Sequence, residues 1–205
     1  RSKGFVIRAS AADFIGRLVA QRAARGAASV DIGAVNALLT ATADPEPAVR
    51  AMAARALAAT RDGRVVPALA GRLADPARVV RVVAAAGLLD LGVASLPGPA
   101  GKALARAQEE YAASLRAFPD AAGNQTALAW LEMARGRRAE ALAALDLARR
   151  LDPRRAEPFV VRGVLLAREG RLEEAIAQWE AARTLDPADR RPPDLIAAAR
   201  RRLGR

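Results

Sequence analysis

Residues 136–187 read GRRAEALAALDLARRLDPRRAEPFVVRGVLLAREGRLEEAIAQWEAARTLDP. Gly136-Arg137, Glu140-Ala141, Ala148 and Leu151-Asp152-Pro153 recur 34 residues later as Gly170-Arg171, Glu174-Ala175, Ala182 and Leu185-Asp186-Pro187. A fixed period of that length marks stacked supersecondary units, none of which can bury its apolar face alone. In the second copy Phe159, Gly163 and Leu166 fall at four- and three-residue steps, the spacing of one helix face. Gly170-Arg171 breaks that run, and Ala175, Trp179 and Ala182 form a second face. Proline at 187 ends it, because proline lacks an N–H and disfavours helix in the residue before it. Gly163, Ala175 and Ala182 allow two helices to approach closely, with Trp179 filling the space between them.

This pattern resembles the tetratricopeptide repeat (TPR). The first copy, from about Ala122, carries it in Leu128, Ala129, Gly136, Ala141, Leu145, Ala148 and Pro153. It departs at Gln125 and Glu132, which stand where the family has bulky apolar residues, so a looser or shifted first helix is expected. The second copy departs at Arg162. A lone second helix is expected over Lys102–Ala117, and a capping helix over Pro193–Leu203.

A different repeat occupies residues 1–95. DPEPAVRAMAARAL from Asp44 is echoed by DPARVVRVVAAAGL from Asp75, a 31-residue step. This resembles the short HEAT repeat. Helix pairs are expected at 31–42 with 46–60 and 64–74 with 77–92. An earlier second helix is expected over roughly 5–22, and a loop over Ala23–Val30 containing Gly26. The resemblance gives Asp44 and Asp75 the role of acidic helix caps. Arg50 and Arg81, six residues on, become rungs of an inter-repeat Asp–Arg ladder. A partly exposed pair of this kind contributes about 0–1 kcal/mol. Leu96–Lys102, LPGPAGK, is the Pro/Gly-rich break between the two repeat types. As a phosphate loop it fails, because Leu96 and Ala103 stand where glycine and Ser/Thr are required.

The chain holds neither Cys nor His, which removes thiol nucleophiles, imidazole bases and the usual zinc ligand sets. Glu109-Glu110 and Glu173-Glu174 read as solvated surface, and no metal, cofactor or catalytic residue is expected. The longest apolar run, Val82–Ala94, contains Asp90 and is too short to span a bilayer. The net charge of +11 is spread over most helices and comes with few aromatic residues. That distribution reads first as solvated helix faces and arginine-rich coding, then as a surface for an acidic protein partner, and least as one for nucleic acid or anionic lipid.

The expected architecture is therefore an all-α, right-handed solenoid of helical hairpins: HEAT-like over 1–95, linker over 96–102, TPR-like over 103–205. Its expected role is non-enzymatic binding of a protein or peptide. The TPR resemblance implies partner contacts at Thr126, Trp130, Met133, Glu157, Val160, Val164 and Arg168. Trp130 either anchors the partner or packs inward to compensate for Gln125. The order of the two repeat types, with the junction EEYAASLRAFPD at 109–120, is similar to the C-terminal region of bacterial multihaem c-type cytochromes. That resemblance implies a docking or assembly module with any haem upstream of Arg1. The compartment would then be periplasmic, and otherwise cytoplasmic. A chain opening on Arg1 fits a piece of a longer protein.

Overall fold

The computed structural model describes residues 2–24 and 32–204. The loop expected around Gly26 lies outside them. The described residues form eleven α-helices and no strand: α1 Ser2–Ala24, α2 Ile32–Ala41, α3 Pro47–Ala59, α4 Val66–Arg72, α5 Arg78–Asp90, α6 Gly98–Arg116, α7 Ala122–Ala134, α8 Arg138–Leu151, α9 Glu157–Arg168, α10 Leu172–Leu185 and α11 Arg191–Arg202. A single 3-10 turn, Gly63–Val65, precedes α4. Alanine, leucine and arginine favour helix. Proline opens α3, α4, α9 and α11, where its missing N–H costs nothing. None of the described helices is long and apolar enough to cross a membrane.

The chain packs as two units, 1–113 and 114–205. The division falls inside α6, not in the Pro/Gly stretch. Helix α6 begins at Gly98, so the linker expected to run to Lys102 is shorter than it reads.

The first unit is a stack of second helices, α1 on α3 on α5, with α2 and α4 alongside. Its core joins Ala12, Leu38, Ala54, Leu57, Val65, Leu69, Ala84 and Leu88 with Leu104 and Ala107 of α6. Small residues set the spacing. A methyl added to Gly16 would lie 2.8 Å from the Cβ of Ala56, and one added to Gly87 would lie 2.8 Å from the Cβ of Ala58. Counted from Arg8, Arg50 and Arg81, Gly16 and Ala58 share one repeat position, and Ala56 and Gly87 share another. Each crossing thus joins one glycine to one alanine, and each leaves room for a single methyl group.

The second unit consists of two hairpins, α7–α8 and α9–α10, and the terminal helix α11 packed on α10. The two Gly-Arg corners are equivalent. Gly136 and Gly170 have φ of +74° and +80°, and the N–H groups of Arg137 and Arg171 reach back to the carbonyls of Glu132 and Leu166 at 2.8 and 3.0 Å. This is a Schellman closure, which needs a left-handed residue at the corner. At the far ends of α8 and α10, the carboxylates of Asp152 and Asp186 accept from the N–H groups of Arg154 and Ala188. Ala129, Ala141, Leu145, Val161 and Leu165 form one core cluster. Leu166, Leu172, Ala175, Trp179 and Ile196 form the next. The Trp179 indole lies flat against Gly163, within 2.3 Å of where a Cβ would sit, and donates to the Val160 carbonyl at 3.1 Å. Ala148 and Ala182 are fully buried. Pro153 and Pro187 follow the helix ends and are exposed.

Gln125 and Glu132 do not loosen the first hairpin. Both are buried. Gln125 donates to the Pro119 carbonyl at 2.8 Å, and Arg116 donates to Glu132 at 2.8 Å. A satisfied polar group can stand in a core where an apolar one is usual, provided its partners are present. Arg162 is half-buried and meets Asp146 at 2.7 Å.

Adding one methyl at a crossing should therefore be costly. Gly87→Ala and Gly163→Ala are each expected to destabilise their unit by about 1–3 kcal/mol, the usual range for overpacking. Gly71→Ala, with open space around it, should not. Urea unfolding followed by circular dichroism measures the difference.

Candidate interaction surface

The ladder in the first unit is built from three arginines, two of which also hold their own Asp-Pro turns. Arg50 Nη1 donates to the carbonyls of Asp44 and Pro45 at 2.9 and 3.0 Å. Arg81 Nη1 does so to those of Asp75 and Pro76 at 2.7 and 2.9 Å. The remaining nitrogens reach the following repeat in bidentate pairs: Arg8 to Asp44, Arg50 to Asp75, and Arg81 to Glu110. Each guanidinium thus ties its own Asp-Pro turn or helix to the next repeat's acid, which fixes register between repeats.

Three expectations change here. Asp44 and Asp75 do not cap the helices themselves. The N-cap residues are Glu46 and Ala77, and each aspartate accepts the N–H two residues on, from Glu46 and Ala77. That closes the turn that feeds the helix. The Arg50–Asp75 pair is not partly exposed, since its side chains are 10% and 2% accessible. Glu110 is not solvated surface but the acid of the third rung, 18% accessible. Glu109, Glu173 and Glu174 are exposed or half-exposed, and Glu174 pairs with Arg171.

Burial alone would raise the Asp75 carboxyl. The bonds from Arg50 and the Ala77 N–H, with the charges of Arg50 and Arg72, outweigh it and hold the group below the ordinary carboxylate range. Arg81 holds Glu110 down in the same way. A carboxyl lowered on folding contributes stability above its unfolded value and loses it as the pH falls through the folded one.

In the second unit the seven predicted contact positions separate. Thr126, Met133 and Val160 are buried, so they are not available to a partner. Thr126 is occupied with the Ala122 carbonyl at 2.8 Å, and Met133 belongs to the first core cluster. Trp130 and Val164 stand 34 residues apart at the same repeat position. Both are half-buried and pack their inner edges on that cluster. Trp130 therefore packs inward and keeps an accessible edge. Glu157 is half-buried and receives two bonds from Arg191, and Arg168 is exposed. Phe118, before α7, and Leu151 and Leu185, at the ends of α8 and α10, are exposed, and the contact pattern did not indicate them. Among the described residues no group of three or more acidic side chains is placed to hold a metal ion.

The family model for HEAT repeats matches residues 7–88, the span of the stacked helices and their first two rungs. These residues are HEAT-like repeats, a kind of repeat that generally serves as a protein-interaction scaffold. No curated protein and no solved structure matches the chain.

Removing one partner of the buried rung leaves the other charged and desolvated. Arg50→Ala should therefore cost on the order of 3 kcal/mol, with Arg81→Ala costing less and Arg8→Ala least. Chemical unfolding at neutral pH gives the ranking. The wild type should lose stability as pH falls below about 4, the unfolded carboxylate range. Asp75→Asn should already be weaker at neutral pH and show a shallower acid slope.

Proposed function

We propose that the chain is a non-catalytic scaffold whose second unit, a TPR-like pair of hairpins, holds a protein or peptide partner along α7 and α9. The observation that carries this reading is the pairing of Trp130 with Val164. Two apolar residues at one repeat position, each anchored on the core and each keeping an accessible edge, form a short ridge along adjacent first helices. Tryptophan gives a large contact area and is enriched among the residues that dominate binding energy. Glu157 and Arg168 flank the ridge with polar groups of opposite sign. The Asn and Lys side chains with which some TPR proteins clamp a terminal carboxylate are absent from this face, so an internal segment of the partner is the expected ligand. Exposed Arg168, with Arg190, Arg201 and Arg202 on and beside α11, favours an acidic one. Nucleic acid lacks a stacking platform here, since aromatics are 3% of the chain.

A second reading makes the chain a docking or assembly module of a multihaem c-type cytochrome. It is supported by the succession of HEAT-like and 34-residue repeats, and its test is a Cys-x-x-Cys-His coding segment upstream in the same reading frame.

Peptides selected from a display library against the 205-residue chain and titrated by calorimetry test the first reading. Trp130→Ala should weaken the best peptide by at least about thirty-fold, the effect of a dominant interface residue. Arg168→Glu should weaken it less and reduce its salt dependence. An unchanged affinity in folded Trp130→Ala would remove the α7/α9 ridge as the binding surface.

A further inference from the structure

Helix α1 is apolar on two sides. Ala12, Ile15, Gly16 and Val19 face the core, with Gly16 against Ala56 of α3. About a third of a turn away, Ile7, Ala11, Phe14 and Leu18 follow the steps +4, +3 and +4, a continuous stripe along one helix face. Ile7 is 70% accessible, Phe14 58% and Leu18 43%. Counted from the ladder arginines, the same positions in the next two second helices are Val49, Ala53 and Ala56, then Val80, Ala84 and Gly87. All six are buried. In α3 and α5 this side receives the second helix of the preceding repeat.

The outward side of α1 departs from the pattern by which α3 and α5 receive a preceding helix. The position that is Ala56 and Gly87 at the two crossings is Phe14 in α1. Where the ladder requires an acid, at the place of Asp44 and Asp75, the sequence has Ser2. The stripe is instead complementary to itself. Turned antiparallel about a point between Ala11 and Phe14, it sets Ile7 against Leu18, and small Ala11 against large Phe14. Arg17 then lies opposite Ser10, so no like charges oppose each other beside the seam. Arg17 is held by Asp13 at 2.7 Å.

We propose that the outward stripe of α1 pairs two copies of this chain in an antiparallel, two-fold helix contact. Such an interface is isologous and closes at the dimer. The stripe covers twelve residues, about 18 Å of helix. That is small against a standard interface, so the dimer belongs in the micromolar range or weaker.

Sedimentation equilibrium of the 205-residue chain across about 5–500 µM should show a monomer–dimer equilibrium spanning that range. Phe14→Glu should raise its dissociation constant at least about ten-fold with the helical spectrum and melting point kept. The chain has no cysteine, so Ile7→Cys and Leu18→Cys chains can be mixed and oxidised. Cross-links between 7 and 18 should exceed like-with-like links. A chain that stays monomeric throughout, a dimer indifferent to Phe14→Glu, or a preference for like-with-like links would each overturn the proposal. So would Phe14-dependent binding to anionic vesicles by a chain that remains monomeric in solution.

Discussion

Room for one methyl group where two helices cross is the constraint on which both units depend. In the first unit it is met twice with the same pair of residue types, Gly16 on Ala56 and Ala58 on Gly87. The glycine sits on the earlier helix in one crossing and on the later helix in the other. In the second unit the same need is met differently. Gly163 opens a slot and Trp179 fills it, with the indole N–H satisfied by the Val160 carbonyl. A chain with 52% apolar residues but only 3% aromatics cannot fill its interior with rings. It brings backbones together instead, and close packing supplies the dispersion contacts that large side chains would otherwise give.

Close packing of smooth, alanine-rich helices leaves register weakly specified. The ladder supplies that missing information. Arg50 and Arg81 each bond the carbonyls of their own Asp-Pro turn and a carboxylate one repeat further on, so a helix displaced along its axis loses four or more hydrogen bonds at once. Burial makes these pairs specific more than it makes them strong, since desolvation offsets much of the attraction. Glu132 and Gln125 do comparable work in the second unit. Each is buried, and each ties α7 to the segment just before it.

What was legible in the sequence was periodic. The 34-residue echo gave the second unit's helices and its equivalent Gly-Arg corners, because positive φ at Gly136 and Gly170 has a plain residue signature. The DP…R spacing, through the HEAT resemblance, gave the ladder but not which repeat's acid each arginine reaches. The contact positions were less legible. The TPR resemblance implied contacts at Thr126, Met133 and Val160, yet all three are buried, because a position carried over from a family cannot be told from its neighbour without the packing partner. The acid of the third rung escaped notice for another reason. Glu110 lies in α6, which does not repeat the DP motif, so nothing at the level of sequence marked it as the continuation. The outer side of α1 was hidden likewise. The sequence predicts a helix over roughly 5–22 but does not say which of its apolar residues are covered, which shows only when they are set against the buried positions of α3 and α5.

Both units thus hold themselves together through small-residue crossings and keep their accessible apolar edges for something else. Native-state hydrogen exchange tests that division most directly, because it reports local opening amide by amide. The slowest amides are expected where helices touch most closely, around Ala58 in α3 and Gly87 in α5, and around Gly163 in α9 and Trp179 in α10. Protection spread evenly over all helices, or greatest in α11, would contradict the claim that these crossings hold the fold.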